Sequence, residues 1–354
     1  MFMKNCWYVA AYVRELEDGG PLGRTLLGEP VVMFRTAGGT PVALEDRCCH
    51  RHLPLSLGKV AGDRVQCGYH GLEFDASGTC IAVPGQSKVP PGAAVKSFPL
   101  VEKYGFLWIW MGDAAADETL IPDWWWVDDP AWAHNPGAFL HIQCHYELIN
   151  DNLLDLSHLG YVHTKTIGNG AIVDFPVKTQ RQDGKVRMSR WIADRPAPPL
   201  YGAGMQTDDN VDRWQIVETT APSHTVVYAG VGPVGAGEFD GPVEYETGIR
   251  LRALNAPTPE TETSSFYFYA HVWDFRIDDA AWKQRMYDDF LMTFMEDVGI
   301  LEAQQVSLSR DPARALIDLN VDVPGLAARR MVAERIAAEK SGQSGLSGET
   351  IAAR

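Results

Sequence analysis

The chain has 354 residues, of which 45% are hydrophobic and 22% are charged, a composition typical of a globular enzyme with one or two domains. Its 46 acidic residues outnumber its 31 basic residues, and the net charge of −15 disfavours nucleic acid and anionic membrane surfaces as partners. No apolar run is long enough to cross a bilayer, and no signal peptide is recognisable. We therefore expect a cytoplasmic protein whose six cysteines serve as thiols or metal ligands.

The first part of the chain is predicted to be an all-β module. From about Pro30 to Asp113, short runs of β-forming residues alternate with Gly, Pro and Asp, and the clearest are VVMFR, PVALED, CIAV and FLWIWM. An acidic, proline-containing stretch follows. We place the domain boundary there, so that residues 1–120 form the first domain.

The second part is predicted to combine an antiparallel sheet with helices, which makes the whole chain α+β. A helix is expected from Tyr146 to Leu159, and segments such as VRMSRWIAD, RWQIVETT, HTVVYAG and SSFYFYAHVWDF indicate strands. A long helix is expected from Asp278 to Leu308, with two aspartates at its start. Residues 121–338 form the second predicted domain, and the Gly- and Ser-rich residues 339–354 are a predicted disordered tail.

Two Cys–His pairs are the strongest chemical signal in the sequence. Cys48 and His50 are separated by sixteen residues from a second pair, Cys67 and His70. Zinc accepts two thiolates and two imidazoles, but zinc fingers commonly place both cysteines before both histidines. The alternating order favours a Rieske [2Fe–2S] centre, in which one iron takes two cysteines and the other takes two histidines. Cys49, which lies between two of these residues, has no assigned role.

The segment NDNLLDLSHLGYVH offers a second set of ligands. Asp155 and His158 are three positions apart and would share a helix face, whereas His163 needs a break near Gly160 to approach them. Two nearby imidazoles suit Fe(II), zinc or copper. A solvated polar helix face with a satisfied histidine is the alternative.

Asp297 lies within the apolar stripe of the long predicted helix. An ionised carboxylate there is costly unless a cation meets it. With His158 and His163 it would form the 2-His-1-carboxylate set that binds Fe(II) and leaves positions open for O2. An interhelical salt bridge is the alternative for Asp297. Glu296 is predicted to point to the outer face, into solvent.

These segments, in this order, resemble the oxygenase component of the Rieske non-heme iron oxygenases over about residues 2–310. Within that family the chain is most similar to the branch of vanillate O-demethylases, dicamba O-demethylases and toluenesulfonate methyl monooxygenases. The resemblance rests on NCWYVAA, CCHRHLPLSLG, CGYHGLEFD, VPGQ, LWIWMG, DNLLDLSHLGYVH, TPETETS and EDVGILEAQQ. It implies a Rieske domain followed by a helix-grip-like catalytic domain.

The resemblance also implies two sets of metal ligands and a bridge between them. The implied ligands of the cluster are Cys48, His50, Cys67 and His70, and those of a mononuclear iron are His158, His163 and Asp297. In a ring of three subunits, Asp155 would link His70 of one chain to His158 of its neighbour. Asn152 corresponds to a position near the iron that does not usually bind it.

The implied activity is that of a terminal oxygenase. A separate NAD(P)H-dependent reductase, of the ferredoxin or flavin type, would supply electrons, and O2 would be used to hydroxylate a methyl or methoxy group of an aromatic acid. The activity that the resemblance most directly implies is O-demethylation of a vanillate-like compound with release of formaldehyde. Ring hydroxylation, N-demethylation and a pure Rieske electron carrier are the alternatives.

The chain itself is not expected to bind the nicotinamide. A GxGxxG match at Gly230, Gly232 and Gly235 is followed by AGEFDGPVE, which does not predict a helix, so no helix N-terminus would hold a pyrophosphate. We interpret this segment as a glycine-rich surface loop.

The expected substrate contacts are few. Leu153 and Leu156 could form apolar walls beside the ligands, and Asn255 could be a polar contact, although ordinary core packing explains each of them as well. A substrate carboxylate would need a donor such as Arg250, Arg252 or a backbone N–H, and the sequence does not choose among these.

Overall fold

The computed structural model describes residues 1–135, 137–163, 167, 175–235 and 248–341. The chain forms two compact units, of which the first contains Met1–Asp123 and Thr258–Glu262, and the second contains Trp124–Pro257 and Thr263–Arg354. Within the described residues, no helix has both the length and the apolar character that crossing a membrane requires.

The first unit is built of short strands in three sheets. In chain order they are β1 (Trp7–Tyr12), β2 (Leu22–Leu26), β3 (Glu29–Arg35), β4 (Pro41–Glu45), β5 (Lys59–Val60), β6 (Val65–Gln66), β7 (Glu73–Phe74), β8 (Cys80–Ala82), β9 (Ser97–Phe98), β10 (Leu100–Lys103) and β11 (Phe106–Trp110). The sheet orders are β1-β11-β10, β2-β3-β4-β9 and β5-β6-β7-β8. Alternate strand residues such as Val32, Phe34 and Phe74 fill a core that also contains Cys48 and Cys67, so the packing of the sheets positions both thiols.

The second unit is one large sheet with helices. Its strands are β12 (Ala133–Asn135), β13 (Leu140–Ile142), β14 (Lys178–Gln182), β15 (Lys185–Pro196), β16 (Asn210–Thr220), β17 (His224–Pro233), β18 (Ile249–Thr261, of which the last four residues belong to the first unit) and β19 (Ser264–Trp273). Their order is β12-β19-β18-β17-β16-β15-β14, and β13 also pairs with β19. The helices are α1 (Tyr146–Leu154), α2 (Pro199–Met205), α3 (Ala280–Arg310) and α4 (Val323–Ser341).

One face of this sheet carries the helices. Met188 and Val217, which are paired across β15 and β16, pack against Leu154 of α1 and Met331 of α4. Phe290 of α3 packs with residues of β18 and β19 in a neighbouring cluster. A sheet covered by helices on one face confirms the predicted α+β class.

The helix boundaries correct one prediction and refine another. Helix α1 ends at Leu154 rather than Leu159, because Asp155 takes extended dihedrals (φ −108°, ψ 94°), and His158 begins a separate 3-10 turn. Asp155 and His158 therefore do not share a helix face. Helix α3 begins one residue after its N-cap Asp279, whose carboxylate accepts the N–H of Trp282 at 2.9 Å.

Two further predictions can be compared with the structure only in part, because each includes residues outside the described ranges. Gly230 and Gly232 lie inside strand β17 and not in a surface loop, and residues 236–247 lie outside the described residues. A Cβ at Gly230 would be 2.1 Å from the ring of Trp214, so the glycine makes room for that side chain. At the end of the chain, Glu339–Ser341 continue α4, and residues 342–354 of the predicted disordered tail lie outside the described residues.

Candidate functional site

Two loops of the first unit repeat one backbone geometry. In each loop the cysteine N–H donates to the carbonyl five residues later, at 2.9 Å from Cys48 and 2.8 Å from Cys67. The carbonyl of each cysteine accepts the N–H four residues later, which belongs to His52 in the first loop and to Gly71 in the second. Both of these residues have positive φ, +60° and +72° respectively. The two loops therefore hold their cysteines in matching backbone geometries.

The side chains of these loops separate into buried sulfurs and exposed imidazoles. Cys48 and Cys67 are only 2% and 3% exposed, whereas His50 and His70 are exposed and their ring centroids lie 4.5 Å apart. Burial, together with the neighbouring Cys67 thiol, raises the pKa of Cys48 to about 11. Thiolates at this position thus need a cationic partner. Two buried sulfurs beside two close imidazoles fit the donor set of a Rieske cluster.

The second unit brings together three residues that are distant in sequence. The ligand atoms of His158, His163 and Asp297 all lie within 4.8 Å of one another. Nε2 of His158 is 3.8 Å from Oδ1 of Asp297, and Nε2 of His163 is 3.2 Å from Oδ2. His163 and Asp297 are 1% and 6% exposed. Two imidazole nitrogens facing one buried carboxylate fit a single divalent metal ion.

Each of these three residues is held by another group. Nδ1 of His163 hydrogen-bonds Oε2 of Glu296 at 2.8 Å, and Nδ2 of Asn152 donates to Oδ1 of Asp297 at 3.2 Å. Nδ1 of His158 hydrogen-bonds the main-chain carbonyl of Asp155. Such contacts fix the tautomer and the orientation of imidazole ligands and leave Nε2 for a metal.

Glu296 corrects a prediction made from the helical pattern. It does not simply point into solvent, because its carboxylate contacts His163 on a segment 133 positions away. The pattern of apolar residues along a helix shows which face is buried, but it does not show which residue of another segment contacts Glu296. The chemistry of metal sites could have suggested this contact, since a metal-bound histidine usually donates its other N–H to an acceptor such as a carboxylate.

The electrostatics of this cluster favour a cation. Burial lowers the pKa of His158, which keeps its imidazole neutral as a metal ligand must be. His163 is also buried, but Asp297 and Glu296 raise its pKa. The same two negative charges would stabilise a divalent ion at Nε2 in place of a proton.

Asp155 lies at the end of α1 but outside the three-residue cluster. Its carboxylate is half-buried and accepts the N–H of Ser157 at 2.8 Å, while its main-chain carbonyl contacts His158. The buried Arg190 lies close enough to interact with it electrostatically: burial lowers the pKa of Arg190, and the charge of Asp155 opposes that shift.

A cavity with about 670 Å³ of empty space, part of it open to solvent, is lined by the three clustered residues and by mostly apolar side chains. Leu153, Leu156 and Asn255, the residues proposed from sequence as substrate contacts, all line it. The amide of Asn255 is already engaged: its Nδ2 donates to two carbonyls at 3.0 and 3.1 Å, and its Oδ1 accepts the hydroxyl of Tyr267 at 2.7 Å.

Arg250 and Arg252, which the sequence suggested as donors to a substrate carboxylate, do not line the cavity. Arg250 is paired with Asp274 through its backbone and side chain. Arg252 is buried among aromatic rings, with its guanidinium 4.9 Å from the ring centroid of Tyr228. The arginine that does line the cavity is Arg213, which the sequence pattern marked only as part of a strand.

Comparison with known families agrees with these two sites. Residues 6–99 match the Rieske [2Fe-2S] domain, and residues 142–338 match the vanillate O-demethylase oxygenase C-terminal domain. The chain belongs to the Rieske non-heme iron oxygenases. Its family therefore confirms the resemblance that the motifs suggested.

Several members of this family are similar over their full length. The iron-sulfur subunit of the toluene-4-sulfonate monooxygenase system of Comamonas testosteroni is 38% identical, with 97% of this chain and 99% of that protein aligned. A vanillate O-demethylase oxygenase subunit of a Pseudomonas species is 40% identical over 96% of each chain. Among solved structures, dicamba monooxygenase bound to 3,6-dichlorosalicylic acid superposes with a TM-score of 0.87 at 32% identity, covering 96% of this chain and 99% of that one.

Membership of this Rieske oxygenase family establishes the class of protein. The chain is the oxygenase component of a multi-component system, with a Rieske cluster and a mononuclear iron as its cofactors. Its relatives are named as oxygenase components or iron-sulfur subunits of such systems. The predicted enzyme class is confirmed.

Proposed function

We propose that this oxygenase removes the methyl group of a methoxylated, vanillate-like aromatic acid and releases a phenol and formaldehyde. The reaction balances when one O2 and two electrons, with two protons, convert the methoxy group to a hemiacetal and water, and the hemiacetal then collapses. The observation that carries the proposal is the cluster of His158, His163 and Asp297 in the wall of an apolar cavity. Similarity to vanillate O-demethylase and dicamba O-demethylase components supports it.

The mononuclear iron would be held by those three residues, and when bound it supplies the O2-dependent oxidation of a C–H bond. Around it, Glu296 fixes the ring of His163, and Asn152 fixes the carboxylate of Asp297. Leu153 and Leu156 hold the aromatic ring and exclude water from the reacting group.

The cluster would be held by the two matching loops of the first unit, which we propose as a Rieske domain of residues 1–120, with residues 121–338 as the catalytic domain. Its proposed ligands are Cys48, His50, Cys67 and His70. The exposed imidazoles give electrons a short route into and out of the buried cluster. A ferredoxin- or flavin-type reductase is the proposed donor.

Asp155 is proposed to carry the link between the cluster and the catalytic iron. Its carboxylate is half-buried, and its main-chain carbonyl contacts His158. Within the described part of the chain, only Oδ1 of the carboxylate accepts a hydrogen bond, from the N–H of Ser157. The other oxygen could accept a hydrogen bond from a histidine of a neighbouring subunit. The ring of three subunits that the family resemblance implies would supply that histidine, so we propose a homotrimer. A cytoplasmic location belongs to the same proposal, since all six cysteines are free.

Hydroxylation of a ring methyl group is the second candidate. Similarity to the toluene-4-sulfonate monooxygenase subunit favours it, and the product would be an alcohol without formaldehyde. The same site would serve both reactions, because each begins with oxidation of a methyl C–H bond.

The test is a panel of methoxylated and methylated aromatic acids given to the iron-loaded protein with a compatible reductase. O2 uptake with equimolar formaldehyde supports O-demethylation, and O2 uptake with an alcohol product supports the second candidate. Iron content provides the control, since about three iron atoms per chain are expected for one cluster and one mononuclear site. A protein with two irons and no substrate-dependent O2 uptake would be an electron carrier instead.

A further inference from the structure

Strand β16 presents two polar side chains to the catalytic cavity. Arg213 and Gln215 are two positions apart, so they point to the same face of the sheet, and both line the cavity. Their partners across the β16–β17 pairing are Val231 and Ala229, which are apolar. The strand therefore places a cationic group in an apolar wall.

The guanidinium of Arg213 is incompletely satisfied. The residue is 3% exposed, and its Nη2 donates to the carbonyl of Ile167 at 3.3 Å. The ring centroid of Tyr201 lies 5.0 Å from Cζ, and the Tyr201 hydroxyl also interacts favourably with the guanidinium. Nε and Nη1 have no hydrogen-bond partner, and no carboxylate forms an ion pair with Arg213, among the residues that the structure describes.

An uncompensated buried guanidinium is costly to the folded protein. Burial lowers the pKa of Arg213, but an arginine keeps its charge under these conditions because its intrinsic pKa is so high. A buried charge without a partner destabilises a fold, and natural sites compensate such a charge by a ligand or a counter-ion. The unpaired N–H groups of Nε and Nη1 lie on different edges of the planar guanidinium, so each can donate singly to an oxygen of an acid group.

The remainder of the cavity matches the other part of such a ligand. Its apolar walls, which suit an aromatic ring, include Leu153, Leu156, Leu251 and Phe294. The proposed iron ligand Asp297 also lines this cavity. One cavity thus contains a cationic donor, apolar walls and the candidate metal site.

We propose that Arg213 binds the acid group of the aromatic substrate, a carboxylate or a sulfonate, and so orients the methyl or methoxy group toward the proposed iron ligands. The inference rests on the proposed function, and it adds the residue that selects an anionic substrate. Arg213 is a substrate-binding residue in this scheme and takes no part in the oxidation itself.

Other polar groups are less suited to this role. The amide donors of Asn255 are engaged by two backbone carbonyls, and Arg250 is paired with Asp274. Arg190 also has unpaired nitrogens within the described structure, but it interacts with Asp155 and does not line the cavity. His271 lines the cavity, but burial lowers its pKa to about 3, so it offers no positive charge.

The experiment compares acid and neutral ligands by isothermal titration calorimetry on the full-length, iron-loaded protein. The probes are 4-methoxybenzoate, 4-toluenesulfonate and the neutral 4-methoxybenzamide. In Arg213→Met we expect affinity for the preferred acid to fall about 100-fold and affinity for the amide to change by less than about threefold. Arg213→Lys should be intermediate, because a lysine keeps the charge but has one ammonium group in place of donors on several nitrogens of a planar guanidinium. The acid that binds more tightly to the wild-type protein shows whether the cavity prefers the methoxybenzoate or the toluenesulfonate.

The matched control is Arg187→Met, which removes an arginine from the same sheet. Arg187 pairs with Glu218 at 2.9 Å and does not line the cavity, so acid binding should be unchanged. Folding is checked by thermal unfolding without ligand. Removing an unpaired buried charge should leave the unfolding temperature of Arg213→Met unchanged or raise it by about 2–4 °C. If Arg213→Met does not fold, the affinities for acid and amide are compared between Arg213→Lys and the wild-type protein instead.

Three results would overturn the inference: unchanged acid affinity in Arg213→Met, equal losses for acid and amide, or no binding of either acid to the wild-type protein. Failure of the proposed function has a different signature. In that case the acids bind in an Arg213-dependent way, but the protein supplied with a reductase forms neither formaldehyde nor an alcohol.

Discussion

The two metal-binding regions of this chain are built in different ways. The proposed cluster ligands lie between residues 48 and 70, on two loops whose backbone hydrogen bonds are local. The candidate mononuclear site joins the segment after α1 to helix α3, and its contacts span more than a hundred positions, as between His163 and Glu296. The first region therefore depends on loop geometry, and the second depends on how α3 packs beside α1. Changes to α3 should reach the second region and leave the first intact.

The largest expected effect comes from Asp297→Ala. This change removes a buried carboxylate that faces both imidazoles, so the mononuclear iron should be lost and turnover should become undetectable. The visible absorption of the Rieske cluster should be unchanged, because its proposed ligands lie in the other unit. Iron analysis should show a fall from about three to about two atoms per chain.

Asp289→Ala is a suitable control for that change. Asp289 is on the same helix and pairs with Arg285 at 3.3 Å on a largely exposed surface, so iron content and turnover should be retained. Retention of the third iron in Asp297→Ala would contradict the proposed ligand set. Loss of the cluster absorption in that variant would contradict the independence of the two regions.

Glu296→Ala should have a smaller effect on the same site. It removes the acceptor for Nδ1 of His163, and removal of such an acceptor typically weakens metal binding about 10–100-fold. Titration of the apo-site with Fe(II) against a competing chelator measures this change. Glu296→Gln keeps an oxygen acceptor and should restore part of the affinity. Equal affinity in Glu296→Ala and wild type would show that the contact does not orient the histidine.

Part of the fold and of the site could be predicted from sequence. The alternation of Cys48, His50, Cys67 and His70 is local, so spacing alone indicated the chemistry of the cluster. The strands of the large sheet were also predictable, because segments such as RWQIVETT alternate with the period of a strand. Asp297 was identified because a carboxylate in an apolar helical stripe needs a cation.

The rest depended on tertiary structure. The end of α1 at Leu154 could not be predicted, because no glycine or proline directly follows Leu154. The helix ends there because the backbone of Asp155 is extended. The contact of Glu296 with His163 depends on helix packing. Arg213 was missed because a strand pattern does not say which face is covered by helices, and this arginine lies on the covered face.

The next comparison is between the two cluster loops themselves. Gly71→Ala should lower the free energy of unfolding by about 1–2 kcal/mol, because a side chain disfavours positive φ by roughly that amount. A Cβ at Gly71 would also lie 2.9 Å from Cγ of Pro84. Chemical denaturation followed by loss of cluster absorption measures the effect, and Gly85→Ala, at similar φ but without a close neighbour, is the control for backbone strain alone. Equal stability of Gly71→Ala and wild type would contradict this account.

His52→Gly should have the smallest effect and the opposite sign. His52 occupies in the first loop the position that Gly71 occupies in the second, with φ of +60° and an exposed side chain. Glycine relieves about 1 kcal/mol of backbone strain in the folded state. It also increases the entropy of the unfolded chain, which lowers the free energy of unfolding and offsets part of that stabilisation. We expect a net stabilisation of about 0.5 kcal/mol in the same denaturation experiment, with an unchanged cluster spectrum because His52 is not a proposed ligand. A loss of stability would mean that the imidazole of His52 makes contacts that outweigh the strain, and the two loops would then match in backbone geometry but differ in what stabilises them.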